Sequence, residues 1–253
     1  MRIYANAYEL MSETGRNLWE MGAEVKPKTY QDKVIEGDDN FITKELICEQ
    51  YCLTDLPDED LLFLFDPRSK DWTKAEFVER VSIGKSQNPG EAYKLRPDLW
   101  EQFINSRGKF DYNYNDRMRY EKALFSRLEL DNLSIVIKQL MFDHQTRKAV
   151  LPIYTLDDVS KIPEGKRIPC SMYYDFLVRE VNGEEQLNIT YHQRSADYVT
   201  HFGNDVFLAW KLMQYVASLI KVKPGYLYHT IDSLHSYKKD WVKLKTSVGD
   251  FKK

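Results

Sequence analysis

The sequence predicts an α+β fold in which a mixed or mostly antiparallel sheet packs against helices, within one domain over residues 1–253. Helical and strand-like segments follow one another without the strict strand–helix–strand alternation of a doubly wound fold. Two strand-like segments, 172–178 and 187–193, flank Asn182 and Gly183, a pair suited to a tight hairpin turn. The chain is long enough to bury a sizeable core, with 43% hydrophobic and 30% charged residues.

In the first half, apolar residues at helical spacing predict a helix over 4–21 that ends at Gly22. A strand is predicted over 42–53 and a helix over 72–81. Residues 84–97 are rich in Gly, Pro, Asn and Lys, which predicts a loop.

In the second half, a helix is predicted over 120–142 and a strand over 149–154. The segment 206–220 is apolar on nearly every side, which predicts a buried helix. The Pro-Gly pair at 224–225 is expected to end that helix, and a further strand is predicted over 226–231.

Composition and charge narrow the class of protein. The net charge of −3 gives no basic field of the kind that nucleic-acid binding needs, so no nucleic-acid partner is expected. Three cysteines are too few for a disulfide framework; Cys48 and Cys52 are expected to be buried, and no zinc spacing predicts a metal site. With no signal-peptide pattern and no apolar run of membrane length, we expect a cytoplasmic protein with no membrane partner.

The remaining cysteine, Cys170, follows a proline at the mouth of a predicted strand. A thiol becomes a useful nucleophile only as the thiolate, which a positive neighbour stabilises. Arg194 supplies that charge if the two predicted strands pair. By spacing alone, Cys170 also fits an ordinary core cysteine.

Two longer motifs give the chain a family resemblance. Residues 167–176 (RIPCSMYYDF) and 191–197 (YHQRSAD) resemble the nucleophile strand and phosphate strand of thymidylate synthases. Residues 223–230 (KPGYLYHT), running into LHSY at 234–237, resemble the late strand and sugar-binding His-x-Tyr of that family. The resemblance implies a thymidylate synthase-like fold whose sheet forms a homodimer interface. It also implies a pyrimidine nucleoside monophosphate substrate and 5,10-methylenetetrahydrofolate as the one-carbon donor.

The resemblance, carried over position by position, implies that Cys170 attacks carbon 6 of the pyrimidine, so that carbon 5 captures the methylene of the folate. Arg194 and Ser195 are implied to hold the phosphate, a task that suits the guanidinium fork. His235 and Tyr237 are implied to bond the sugar hydroxyl. The nucleotide-binding residues implied on these strands are Gln193, Arg194, Ser195, Asp205, His235 and Tyr237.

A basic segment is implied to act across the dimer. Arg147 and Lys148 resemble the paired arginines that reach the phosphate of the neighbouring subunit, so a homodimer with shared active sites is expected. Lys148 keeps the charge of the second arginine without its fork. No N-terminal phosphate-loop arginine is evident, and Lys28 is the alternative.

In the first half of the chain, Trp100 and Tyr114 stand fourteen residues apart, the family's interval between a folate-side tryptophan and a catalytic tyrosine near carbon 5. Asp197 is implied to face the folate pterin. Glu76 is the candidate for the buried catalytic glutamate that orders water and shuttles protons. Glu79 is its rival, because the loop after it shifts the register.

Asp205 bears on the identity of the base. It stands eleven residues after Arg194, where thymidylate synthases have an asparagine that reads uracil. Cytosine presents the opposite hydrogen-bond pattern, which a neutral carboxyl matches. Bacteriophage deoxycytidylate hydroxymethylases carry aspartate there, so the resemblance implies conversion of dCMP to 5-hydroxymethyl-dCMP. Ala196 departs from that branch, which has asparagine, and Asn204 and Asp205 also stand where a helix N-cap belongs.

Three alternatives remain at this point. The chain is a thymidylate synthase acting on dUMP, a methyltransferase or hydroxymethyltransferase acting on dCMP or CMP, or a catalytically silent nucleotide- or RNA-binding relative. A silent relative is expected to lack some of Cys170, Arg194, His235 and Tyr237, and all four are present.

Overall fold

The structure, a computed structural model, describes residues 1–30, 33–122 and 129–249. Its strands are β1 (Arg2–Tyr4), β2 (Ala23–Val25), β3 (Thr29–Tyr30), β4 (Lys33–Val34), β5 (Thr43–Leu53), β6 (Glu121–Lys122), β7 (Glu129–Leu130), β8 (Val150–Pro152), β9 (Ser171–Val181), β10 (Glu184–Gln193), β11 (Ala196–Asp197) and β12 (Lys223–Tyr237). Its α-helices are α1 (Ala7–Met21), α2 (Ser69–Val81), α3 (Pro97–Trp100), α4 (Tyr114–Arg119), α5 (Asn132–Phe142), α6 (Leu156–Lys161), α7 (Gly203–Ile220) and α8 (Trp241–Gly249).

One mixed sheet forms the centre of the described part of the chain. Its strand order is β1-β5-β12-β10-β9-β8, with β11 beside β12 and β2 beside β5. Strand β12 runs parallel to β10 and antiparallel to β5, while β9 and β10 form an antiparallel hairpin. Asn182 and Gly183 turn that hairpin with φ angles of 54° and 81°, as the pair predicts. The α+β prediction is confirmed.

Helices α1, α5 and α7 pack against one face of the sheet. In β10 every second side chain from Leu187 to Gln193 lies on that face and is fully buried. The side chains between them, those of Asn188, Thr190 and His192, lie on the other face and are partly exposed. This alternation is what a two-residue repeat produces when only one face is covered. The second face therefore stays open among the described residues.

The predicted helix over 120–142 is wrong in its first part. Helix α4 ends at Arg119, β6 follows, and α5 starts only after Asp131, whose side chain accepts a hydrogen bond from the backbone N–H of Ser134. This N-cap explains the late start. Residues 123–128 of the predicted helix lie outside the described residues.

Smaller differences concern the ends of other elements. Helix α1 begins at Ala7 because Asn6 caps it, and Tyr4 belongs to β1. Helix α7 ends at Ile220 and is capped by Lys221, which adopts a left-handed φ of 60°, and the Pro-Gly pair at 224–225 lies in β12. The strand predicted over 226–231 is thus longer and carries His235 and Tyr237 at its end.

The two cysteines of β5 differ from each other. Cys52 is buried as expected, whereas Cys48 has a φ of 56° and is exposed, contrary to its predicted burial. Within the ranges that the structure describes, no helix is long and apolar enough to cross a membrane. In the same ranges, no group of three His, Cys, Asp or Glu side chains is placed to hold a metal ion.

Candidate active site

A cavity of about 380 Å³ lies where the ends of β9, β10 and β12 meet α2 and the start of α7. It is lined by most of the site residues that the sequence predicts. These are Glu76, Trp100, Tyr114, Cys170, Arg194, Ser195, Asp197, Asp205, His235 and Tyr237.

The sheet topology explains why these side chains meet. The hairpin pairs Gln193 at the end of β10 with Ser171 at the start of β9, which brings Arg194 and Cys170 together. The backbone N–H of Arg194 donates to the carbonyl of Cys170 at 2.9 Å. Strand β11 pairs Asp197 with His235 of β12, so these two residues reach the same end of the sheet.

The thiol of Cys170 has polar donors on two sides. Arg194 Nη2 lies 3.8 Å from Sγ, and Ser195 Oγ lies 3.6 Å from it. Arg194 is held in place by hydrogen bonds from Nε to the Pro169 carbonyl at 2.8 Å and from Nη2 to the Ile168 carbonyl at 3.2 Å. A fixed positive charge thus lies beside the sulfur, which is the kind of neighbour that nucleophilic cysteines have.

Asp205 lies in the first turn of α7 but does not cap it. Phe202 precedes the helix, and no side chain caps the helix N-terminus. The Oδ2 atom of Asp205 instead accepts a hydrogen bond from Gln193 Nε2 at 2.9 Å. Burial raises the pKa of Asp205 to about 6, against the opposing hydrogen bond from Gln193. The carboxyl is thus set apart from an ordinary helix cap, and its raised pKa means that it takes up a proton more readily than an exposed aspartate does.

Gln193 itself lies behind the cavity wall. Its side chain is fully buried and is absent from the cavity lining. It bonds to Asp205 on one side and to His229 Nε2, at 2.9 Å, on the other. Gln193 therefore reaches the cavity through Asp205 and makes no surface for a ligand, unlike the direct role that the resemblance implies.

Glu76 forms an ion pair that the sequence analysis missed. Its Oε1 atom accepts from Arg80 Nε at 2.8 Å, and the guanidinium of Arg80 lies 3.6 Å above the ring of Tyr114. Arg80 is 6% exposed, so this charge is built into the cavity wall. The signal was present in the sequence, because Glu76 and Arg80 are four residues apart on a predicted helix.

Glu79, the alternative to Glu76, also lines the cavity, but its carboxylate binds the backbone of the segment that follows α2. Its Oε1 accepts from the backbone N–H of Ala92 at 2.7 Å. Burial raises the pKa of Glu79, which the hydrogen bond from Ala92 opposes. Of the two glutamates, Glu76 is the one that binds the guanidinium lying above Tyr114.

Aromatic rings form the wall of the cavity near Trp100. Trp72 stacks on Trp100 with ring centroids 5.1 Å apart, and the ring of His201 lies 5.5 Å from that of Trp100. Burial lowers the pKa of His201 to about 3, so this imidazole, which the sequence analysis missed, is neutral. The buried Nε1 of Trp100 has no hydrogen-bond partner among the described residues. A planar wall with a spare donor fits a pterin ring.

Asp197 stands beside this wall and begins a π-helical turn, Tyr198–Phe202. Its carboxylate accepts from the backbone N–H groups of Val199 and Thr200. Burial raises the pKa of Asp197, and the nearby His235 opposes that rise. The carboxyl is thus held rigidly at the cavity, where it offers acceptor oxygens to ring N–H and amino groups.

His235 and Tyr237 face the cavity from the end of β12. Their rings meet edge to face with centroids 5.2 Å apart. Arg147 and Lys148, in contrast, are exposed in the turn before β8 and lie outside the cavity lining of their own chain. Lys28 is also exposed, although its neighbour Thr29 reaches the cavity.

Comparison with known proteins agrees with this arrangement. The family model described as thymidylate synthase matches residues 84–250. A putative thymidylate synthase of Methanosarcina mazei is 28% identical over 132 residues, which cover 52% of this chain and 55% of that protein. The deoxyuridylate hydroxymethyltransferase of Bacillus phage SP01 is 29% identical over 189 residues, covering 65% of this chain and 48% of that protein.

The thymidylate synthase of Mycoplasma genitalium is 25% identical over 119 residues, covering 47% of this chain and 39% of that protein. The chain therefore spans about half the length of the curated relatives that it matches. The family match extends from the loop after α2 to the last described helix, and it includes Cys170 and the strands around it. The chain thus belongs to the thymidylate synthase family, whose members take their one-carbon unit from 5,10-methylenetetrahydrofolate.

Proposed function

We propose that this chain transfers a one-carbon unit to carbon 5 of a pyrimidine nucleoside monophosphate, and that dCMP is its substrate and 5-hydroxymethyl-dCMP its product. The observation that carries the choice of cytosine is the Asp205 carboxyl, buried at the cavity with a pKa raised to about 6. At neutral pH about one molecule in ten then holds this carboxyl neutral before any base binds.

The nucleophile is Cys170, which adds to carbon 6 of the pyrimidine and leaves carbon 5 electron-rich. Arg194 and Ser195 hold the phosphate and, through their contacts with Sγ, keep the thiolate in place. When bound, 5,10-methylenetetrahydrofolate supplies the carbon that carbon 5 captures. Trp100 and Asp197 hold the planar end of that cofactor, because they form the aromatic wall and its acceptor.

We assign proton transfer at carbon 5 to Glu76 on α2 and Tyr114 on α4. The Tyr114 hydroxyl lies 3.3 Å from Ser171 Oγ, next to the nucleophile, and the Glu76 carboxylate is fixed by Arg80 beside the same ring. Glu76 orders the water that takes up and returns protons. Loss of the carbon 5 proton would let the bond between the transferred carbon and the folate nitrogen break, with tetrahydrofolate as the leaving group. Addition of water to that carbon would supply the hydroxyl, and the bond between carbon 6 and Cys170 would then break and free the thiolate for another turnover.

The base is read by Asp205. Cytosine offers an accepting ring nitrogen and a donating amino group. A neutral carboxyl matches them, because its hydroxyl donates to the ring nitrogen and its carbonyl oxygen accepts from the amino group. The oxygen that accepts from Gln193 is the carbonyl-like one, which leaves the other oxygen to donate. Uracil reverses both roles, so in the same pose it sets donor against donor and acceptor against acceptor.

The hydroxymethyl product is supported by the resemblance to bacteriophage hydroxymethylases and by the likeness to the SP01 enzyme. Ala196 departs from the first of these, since the supporting asparagine is missing. Incubation of the protein with 5,10-methylenetetrahydrofolate and dCMP, CMP or dUMP, read by mass spectrometry, tests base, sugar and transferred group together. We expect hydroxymethyl-dCMP together with tetrahydrofolate, and no product from Cys170→Ala. A methylated product with dihydrofolate contradicts the hydroxymethyl assignment.

The second candidate is transfer to dUMP. It is favoured by the names of the SP01 and Mycoplasma genitalium relatives, a deoxyuridylate hydroxymethyltransferase and a thymidylate synthase. Product formed from dUMP and not from dCMP, in the same incubation, decides for this candidate.

We also propose that two chains form a homodimer through the open face of the sheet. Partly exposed side chains such as Thr190 and His192 occupy that face. Arg147 and Lys148 are exposed and lie outside the lining of their own cavity, which leaves them available to the phosphate site of a second subunit, the role that the family resemblance implies. The two subunits then share both active sites.

A further inference from the structure

A continuous line of hydrogen bonds runs through the core behind Asp205. The hydroxyl oxygen of Tyr51 lies 2.7 Å from His229 Nδ1, and His229 Nε2 lies 2.9 Å from Gln193 Oε1. Gln193 Nε2 lies 2.9 Å from Asp205 Oδ2. Tyr51, His229 and Gln193 are at most 1% exposed, and none of them lines the cavity. The line therefore connects a buried tyrosine of β5 to a carboxyl that faces the ligand.

The direction of these hydrogen bonds follows from the first member. Among the described residues, the Tyr51 hydroxyl has His229 as its only hydrogen-bond partner, so its hydrogen goes to Nδ1. Burial lowers the pKa of His229 to about 3 and raises that of Tyr51, so the ring is neutral and the hydroxyl keeps its proton. A neutral ring that accepts at Nδ1 must donate at Nε2, which requires the oxygen of Gln193 opposite it. The amide nitrogen of Gln193 is then turned toward Asp205.

The imidazole is also held in its plane by aromatic rings. Tyr191 stacks on His229 with centroids 4.5 Å apart and an angle of 18°, and Tyr174 stacks on Tyr191 at 4.4 Å. Phe202 lies parallel to the ring on the other side, at 6.4 Å. A ring packed in this way does not turn over, so its two nitrogens keep their partners.

We propose that Tyr51 and His229 are positioning residues that decide which oxygen of Asp205 carries the proton, and that they thereby set the discrimination between cytosine and uracil. This inference rests on the proposed function of Asp205 as the reader of the base. Oδ2 accepts from Gln193, so a proton that the carboxyl takes up when a base binds resides on the other oxygen. A carboxyl whose proton moved freely between its oxygens would offer a matching pattern to either base. Fixing the proton leaves one pattern, which matches one base.

The experiment compares the dissociation constants of dCMP and dUMP, measured by titration calorimetry without folate. Tyr51→Phe removes the first donor and leaves the ring, and His229→Leu removes the link to Gln193. His229→Gln restores an N–H that can donate to Gln193. Tyr198→Phe is the matched control, because it removes another buried hydroxyl, which donates to the Met11 carbonyl, and leaves the line intact.

For the wild-type protein we expect tighter binding of dCMP than of dUMP. In Tyr51→Phe and His229→Leu the preference for dCMP, expressed as the ratio of the two dissociation constants, should fall by about tenfold or more. The carboxyl can then carry its proton on either oxygen, so bound dUMP no longer leaves buried hydrogen-bonding groups unpaired. His229→Gln and Tyr198→Phe should keep the wild-type ratio. Circular dichroism of each variant reports folding, and Tyr51→Phe, which keeps the shape of the side chain, remains a test if His229→Leu fails to fold.

The outcomes separate the two proposals. If both nucleotides bind more weakly by the same factor and the ratio is unchanged in Tyr51→Phe, the residues are structural and the inference is overturned. If the wild-type protein prefers dUMP, the choice of cytosine is wrong, and a fall of that ratio toward one in Tyr51→Phe still supports the inference. If the wild-type protein binds the two nucleotides equally, both proposals are overturned.

Discussion

The buried carboxyl of Asp205 should leave a measurable signature in the stability of the protein. A carboxyl whose pKa is raised by folding stabilises the fold when protonated, and this contribution is lost as the pH rises through the folded pKa. For Asp205 the loss falls between its ordinary value of 3.8 and about 6. The substitution Asp205→Asn removes the titration and keeps an oxygen that accepts from Gln193.

The magnitude follows from the two pKa values. Their difference corresponds to about 3 kcal/mol over the whole window, of which about 1.3 kcal/mol falls between about pH 5 and about pH 7. Because Asp205 borders an open cavity, solvent screening reduces the second figure to about 1 kcal/mol. The variant should therefore gain about 1 kcal/mol of unfolding free energy relative to wild type as the pH rises from about 5 to about 7.

Urea unfolding of both proteins at a series of pH values measures this difference, and titrations common to both cancel. Asp131→Asn is the control. Its pKa is lowered, because hydrogen bonds from Ser134 and Arg119 outweigh the effect of burial, so it should show no such change between about pH 5 and about pH 7. If the difference between Asp205→Asn and wild type stays constant with pH, Asp205 is ionised at an ordinary pKa. The reasoning about a neutral carboxyl at the base then fails.

Three further predictions concern the cavity and the dimer. Cys170→Ser should bind nucleotide about as well as wild type and lose turnover, since a hydroxyl is far less ionised than a thiol. Isothermal titration and a single-turnover assay check this. Turnover above about a tenth of wild type contradicts the assignment of Cys170 as the nucleophile. Mixing inactive Arg147→Ala with inactive Cys170→Ala protein should restore activity, because one site of the hybrid dimer is intact; subunit exchange without restored activity rules out shared sites. Arg80→Leu should lower the unfolding free energy by about 2–4 kcal/mol, because the Glu76 carboxylate loses its partner in the cavity wall. The double variant Glu76→Leu/Arg80→Leu should recover part of that loss, and urea unfolding measures both changes.

Much of the fold could be predicted from local patterns. The Asn-Gly turn of the central hairpin and the apolar helix α7 both follow from sequence spacing, because each depends on residues close in the chain. The break between α4 and α5 was missed, since Asp131 acts as a cap only if the chain stops being helical before it. The role of Lys221 in ending α7 was missed because a left-handed residue after a helix gives no strong sequence signal when it is not glycine.

The site was predictable where a motif matched and not where partners are distant. The sequence led to Cys170 and Arg194 because a family motif carries both. It did not lead to His229 or Tyr51, which are 178 residues apart and meet only because β12 pairs with β5. A histidine in a strand reads as an ordinary core residue until its neighbours are known. Gln193 was found by its motif, but its burial changes what it is expected to do.

The burial of Tyr51, His229 and Gln193 has a consequence for protein engineering. A library that varies only the side chains in contact with a docked nucleotide would leave all three unchanged, because none of them borders the cavity. On the proposed role of Asp205, such a library would exchange the residue that reads the base and retain the residues that orient it. Libraries built on this scaffold should therefore vary the interior positions of β5, β10 and β12 together with Asp205.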